Sequence, residues 1–150
     1  MDIQEYWNKY LEKSHQKPEE ATYSGELSFE DSSLVGNEQL NLLLSGRKTA
    51  SFTPLEVFEI NMEPLPIAGE VYIVLDREEK PQCIIEVTDV KVIPLSEISW
   101  ELAKQDGENE NLQEWQEKME EFLQDEADIC GFEAKKDSKI VCEIYRKIYC

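Results

Sequence analysis

Lys48 and Ser51 stand three residues apart in the run Gly46-Arg47-Lys48-Thr49-Ala50-Ser51. If that run bends, an amine and a hydroxyl share one pocket. A lysine can then serve as base or hydroxyl activator, because burial disfavours its charged form. Asp106 and Glu108 flank Gly107 and form a second chemically capable pair. Carboxylates on a glycine turn can act as general acid or base, or accept hydrogen bonds from the edge of a nucleobase. Trp115 follows closely and offers an indole on which a base could stack. Each group also has a plainer local reading. Arg47 and Lys48 read as exposed cations at a helix C-terminus, where the dipole favours them. Asp106 and Glu108 read as a solvated helix end, and Trp115 as one member of a buried stripe.

Spacing argues against two other chemistries. A phosphate-binding loop requires G-x-x-x-x-G-K-[ST] ahead of a helix. Here Arg47 separates Gly46 from Lys48, Asn41 stands where the first glycine should be, and the expected helix precedes the loop. A zinc site requires cysteine or histidine at ligand spacing. Cys83, Cys130, Cys142 and Cys150 form no C-x-x-C pair and His15 is the single histidine, so neither metal nor cofactor is expected.

The charge bounds the partners. Against 15 Lys and Arg stand 33 Asp and Glu, a formal net charge of −18 in 150 residues. Bulk binding to DNA, RNA or anionic lipid is not expected, because phosphate neutralisation supplies most non-specific affinity. A nucleic acid would have to meet a small local site. No apolar run reaches the roughly 18–20 residues of a membrane span, and MDIQEYWNKY lacks both regions of a signal peptide. The expectation is a cytoplasmic protein with reduced thiols, Cys83 and Cys142 serving as small core residues. A single domain of this length buries roughly 70% of its unfolded surface, enough for a core without metal or disulfide. Nothing in the pattern addresses the oligomeric state.

The elements that must position these groups follow from periodicity and caps. A helix is predicted over about 2–15, with Ile3, Tyr6, Trp7, Tyr10 and Leu11 on one face and Asp2 with Glu5 as a capping box. Leu27 and Phe29 suggest a short edge strand or an anchor. A helix over about 37–45 would start at Asn37 and stop at Gly46. Lys48–Thr53 alternates like a strand, Val57–Ile60 could continue extended, and Pro64, Pro66 and Gly69 form a turn cluster. Glu70–Asp76 and Gln82–Ile93 read as a hairpin. Helices are expected over 96–105, capped by Ser96, and over 112–129, capped by Asn111 with Glu114. The second carries the stripe Leu112, Trp115, Met119, Phe122 and Leu123. A strand over 139–149 closes the chain. Without regular β-α-β alternation, the class is α+β, with a curved or barrel-like sheet of five or six strands and helices packed outside.

In this order the segments resemble the ASCH domain (activating-signal-cointegrator homology), a relative of the PUA-like RNA-binding fold. The likeness rests on the aromatic first helix with Trp7 and the segment L-x-L-L-L-S-G-R-K-T-A ending at Ala50. It continues through P-L-P-I-A-G-E at 64–70, V-Y-I-V-L-D, A-K-Q-D-G-E-N at 103–109, L-Q-E-W at 112–115 and the final strand. It implies a small β-barrel with a cleft suited to RNA or a modified nucleoside. In some compact relatives a lysine, a hydroxyl residue three positions later and an acid cleave the acyl amide of N4-acetylcytidine. These roles map onto Lys48, Ser51 and Asp106. Relatives more often carry Glu in the acidic place, so Asp106 is one methylene short and Glu108 is its possible substitute. A histidine often found four residues after the tryptophan is Met119 here. The resemblance also implies a non-catalytic alternative, an RNA or nucleotide-binding module. There Arg47, Lys48 and Thr49 would contact phosphate or a base edge, and Trp115 or Tyr72 would stack. Ribonuclease activity, also known in the family, ranks last because no histidine pair supports it.

Overall fold

The computed structural model describes residues 2–28 and 34–150, with backbone alone for 34–37. Its five strands are β1 (Gly25–Ser28), β2 (Ala50–Pro54), β3 (Val71–Leu75), β4 (Pro81–Pro94) and β5 (Lys139–Tyr149). They form one sheet in the order β1-β3-β4-β5-β2. β1 runs parallel to β3, and all other neighbours are antiparallel. The long pair β4–β5 slips register between Ile84 and Ile85 and again between Val87 and Asp89. Such bulges bend a strand and increase its twist, and the sheet curls into a half-barrel of the expected α+β, PUA-like kind.

Side chains alternate across the sheet, so each face needs its own cover. Helix α1 (Ile3–Ser14) lays Tyr10 and Leu11 on Val71, Ile73 and Ile84. Helix α2 (Leu34–Leu44) packs Leu40 and Leu43 against Val74, Cys83, Ile85 and Tyr145. After the six-residue α3 (Leu55–Ile60) and the hairpin come α4 (Trp100–Ala103) and α5 (Leu112–Cys130). These two bury Leu102, Trp115, Met119 and Leu123 against Ala50, Phe52, Ile140 and Cys142. Within β2, Ala50 and Phe52 are buried while Ser51 and Thr53 are half-buried, which turns Ser51 to the face opposite Phe52.

The end signals in the sequence act as expected at several helices. Asp2 accepts from the Glu5 amide at 2.8 Å, Asn111 from the Glu114 amide at 2.9 Å, and Gly131 closes α5 in the left-handed conformation. Other expectations need correction. The helix expected to begin at Asn37 starts at Leu34, so Asn37 lies inside it and does not cap it. Val57–Ile60 is helical, because pairing with β5 stops at Pro54 and nothing holds the next residues extended. The helix expected over 96–105 is broken in three. The Leu95 and Ser96 amides are bound by the Ser138 and Lys136 carbonyls, so Leu95–Glu97 makes only a 3₁₀ turn. Ser99, not Ser96, caps α4, and a second 3₁₀ turn, Lys104–Asp106, follows it. Leu27 lies in the edge strand β1, whereas Phe29 falls outside the described residues.

Candidate functional site

The exit from α2 aims Lys48. Gly46 turns the chain with φ +84°, and the amides of Arg47 and Lys48 both donate to the Leu42 carbonyl at 3.0 Å. This tight return leaves Arg47 exposed and sends Lys48 inward to 4% exposure. Reading both residues as exposed helix-end cations is therefore wrong for Lys48. Burying an ammonium is costly unless it is paired. Its partner is Asp106, whose Oδ1 lies 2.5 Å from Lys48 Nζ. The other oxygen, Oδ2, accepts from Trp115 Nε1 at 3.0 Å. One carboxylate thus joins the end of α2, the second 3₁₀ turn and α5.

Thr49 and Gly107 hold this junction together. The Thr49 amide donates to the Gln105 carbonyl at 2.8 Å, and its own carbonyl accepts from the Tyr145 amide at 3.0 Å. Its hydroxyl reaches Gln105 Oε1 at 3.1 Å. Thr49 is a clamp between the 3₁₀ turn and β5, and it does not line the cavity described below. Gly107 has φ +87°, and a Cβ there would sit 2.9 Å from the Arg47 carbonyl oxygen and 3.1 Å from the Lys48 nitrogen. The two backbones approach so closely that the shorter side chain of Asp106 still reaches the lysine. Asp106, not Glu108, is the carboxylate paired with Lys48.

Lys48, Ser51 and Asp106 line one cavity of about 320 Å³ at the β2 edge of the sheet, between α2 and α5. The Ser51 and Tyr145 hydroxyls are hydrogen-bonded at 3.0 Å. Burial pushes the pKa of the Tyr145 phenol well above its ordinary value, although the bond to Ser51 opposes this. The group is therefore a neutral phenol at neutral pH. Glu108 also lines the cavity and is hydrogen-bonded by Gln39 Nε2. Desolvation, followed by the nearby Asp106 charge, raises its pKa above the ordinary carboxylate value.

The aromatic candidates are redistributed. Trp115 is 1% exposed, with its N–H committed to Asp106 and Phe52 edge-on to its ring at 5.1 Å. It orients the acid and walls the cavity without offering a free face. Tyr72 packs against the α2 cluster and does not line the cavity. The accessible ring belongs to Phe122, placed in the buried stripe by periodicity but 39% exposed at the cavity lip. Met119, where a histidine was noted in relatives, is a 5% exposed wall residue with no proton to exchange. Sequence reasoning missed Tyr145 and Gln39. Tyr145 lies two residues after Glu143, the register partner of Ser51, a relation visible only once β2 and β5 are paired. Among the described residues no cluster of His, Cys, Asp and Glu could hold a metal ion. No helix among them is long and apolar enough to cross a membrane.

The half-barrel and the cleft between its edge strand and helices place this protein in the PUA-like class. It belongs to the ASCH domain family, whose model matches residues 25–149. The crystal structure of an ASCH domain from Lactobacillus crispatus JV V101 is similar at 27% identity and a TM-score of 0.84, covering 98% of this chain and 94% of that one. A crystal structure of a DUF984 protein from Enterococcus faecalis V583 is also similar at 27% identity, with a TM-score of 0.81 and coverage of 98% and 88%. No curated protein matches the chain.

Proposed function

We propose that the cavity binds a nucleoside and that Lys48, Ser51 and Asp106 hydrolyse an acyl amide of the N4-acylcytidine type. The observation that carries this reading is the Lys48–Asp106 pair, buried at one cavity wall that Ser51 also lines. Lys48, held 2.5 Å from Asp106 Oδ1, activates the Ser51 hydroxyl, and the Lys48–Asp106 pair takes up the proton that Ser51 gives. Ser51 Oγ then forms a bond to the acyl carbon, and the bond from that carbon to N4 breaks. The proton held by the Lys48–Asp106 pair passes to the departing N4 amine. Water next adds to the acyl carbon, the bond to Ser51 Oγ breaks, and the hydroxyl regains a proton. Tyr145 and Ser51 share a hydrogen bond in which either hydroxyl can donate; with Tyr145, kept as a phenol, as the donor, the serine proton is free for the base.

A second reading has its own observation. Asp106 has both oxygens occupied, one by Lys48 and one by Trp115. A satisfied network of this kind also serves as a rigid wall in a non-catalytic RNA or nucleotide-binding module. Chromatography of N4-acetylcytidine and a panel of other N4-acylated cytosine compounds, incubated with wild type and Lys48→Ala, separates the two. Cytidine released by wild type and reduced by at least about 100-fold in the variant is the expected result. If wild type releases nothing from any compound, the hydrolytic reading fails and the binding reading takes its place. If turnover is unchanged in Lys48→Ala, the assigned mechanism fails.

A further inference from the structure

Where β4 begins and β5 finishes, Ile84 stands opposite Tyr149. Both side chains pack in the cluster under α1. Side chains alternate along a strand, so the residues one step outward, Cys83 and Cys150, turn to the other face together. Cys83 does pack there, among Leu40, Leu43, Val74 and Ile85 of the α2 cluster. Residues directly opposed in an antiparallel pair have Cα atoms about 4.5–5.5 Å apart. A disulfide spans about 4.4–6.8 Å between Cα atoms, so this register suits one. Both thiols are free in this structure. The other two cysteines are placed differently. Cys142 is flanked by Phe52 and Lys91, and Cys130 ends α5.

The two thiols differ in access. Cys83 is 0% exposed, whereas Cys150 is exposed. Burial pushes the Cys83 thiol up to about 12; Lys147 opposes this, and Cys150 lies near enough to add to it. A dissolved oxidant therefore meets Cys150 first. We propose that Cys83 and Cys150 form an oxidation site, a cross-strand disulfide that closes when the protein meets a small disulfide such as oxidised glutathione. The Cys150 thiolate, its proton given to water, attacks one glutathione sulfur. A bond from Cys150 to that sulfur forms, the glutathione disulfide breaks, and one glutathione leaves as its thiolate. Cys83 then loses its proton and attacks the Cys150 sulfur, and the second glutathione leaves. Two protein thiols are oxidised, and one oxidised glutathione is reduced to two thiols that take up the two protons. Only Cys150 has to be reached from solvent, so the burial of Cys83 does not protect the pair. The link fastens β5 to β4 on the face covered by α2, the helix that delivers Lys48. It holds whatever the cavity binds.

Incubation of the whole protein with oxidised and reduced glutathione tests the pair. Free thiols are then blocked in acid and denaturant, and the protein is digested without reduction for mass spectrometry. A peptide linking Cys83 to Cys150 is expected, with Cys130 and Cys142 blocked as free thiols. The oxidised protein should melt at least about 5 °C higher than the reduced one, a gain that dithiothreitol removes. Cys150→Ser should melt like reduced wild type and show no gain on oxidation. Glutathione retained on Cys150 with Cys83 still free would overturn the proposal, as would a disulfide joining two chains through Cys150. A link that brings no rise in melting temperature would overturn it too, because a pair already opposed in the native sheet closes without rearrangement.

Discussion

Lys48 and Asp106 are individually ordinary residues whose meaning comes from their pairing. Removing one partner of a buried ion pair leaves the other desolvated without compensation. Lys48→Met should therefore destabilise the fold by about 2–4 kcal/mol, reduced from the fully buried figure because Asp106 retains 17% exposure. Lys48→Met with Asp106→Asn should lose less than the two single changes added together, as read from urea denaturation in a double-mutant cycle. Additive losses would show that the pair is not coupled. Glu108 makes a prediction with a definite sign. Its folded pKa lies above the ordinary 4.5, so within that interval the folded state holds more proton than the unfolded one. Stability contributed at low pH is lost as pH rises through the raised value. Glu108→Gln should flatten this part of the stability-against-pH curve, and an unchanged slope would refute the assignment. The sequence supplied these residue types and the Lys48–Ser51 spacing. It did not reveal Tyr145 or Gln39, because neither is near Ser51 or Glu108 along the chain.

At the level of elements, the site depends on two turns that look alike in sequence. Gly46 and Gly107 both have positive φ, near +84° and +87°. A Cβ on Gly46 would meet nothing within 4 Å, whereas one on Gly107 would strike the Arg47 backbone at 2.9 Å. Gly46→Ala should therefore cost only the left-handed strain, about 1–2 kcal/mol. Gly107→Ala should cost more and should also separate Lys48 from Asp106, lowering any activity of the cavity. Thermal denaturation of both variants checks this, and equal losses would contradict the close approach. Caps were legible where a polar side chain met a free helix end, as at Asp2 and Asn111. They misled at Ser96, since its amide is bound by Lys136, far along the chain. Local propensity also failed at Val57–Ile60, where the absence of a strand partner decided for helix.

For the whole molecule, the excess of acid has consequences beyond solubility. A net charge of −18 repels itself in the folded state, and salt screens that repulsion. The melting temperature should rise by a few degrees between about 20 mM and about 0.5 M sodium chloride. A fall would mean that favourable ion pairs outweigh the net repulsion. By itself the sequence determined the α+β class, most of the strands, the long amphipathic α5 and the residue types available for chemistry. These depend on period, caps and composition, which are local along the chain. Only the tertiary structure decided that Lys48 is buried while Arg47 is exposed, and that Asp106 reaches the lysine where Glu108 does not. It likewise gave Phe122 the accessible ring that Trp115 and Tyr72 do not offer the cavity. Each of these outcomes depends on how close two segments come when α2, β2, the turn at Gly107 and α5 pack together. A separation of one side-chain length in space leaves no mark on spacing in sequence.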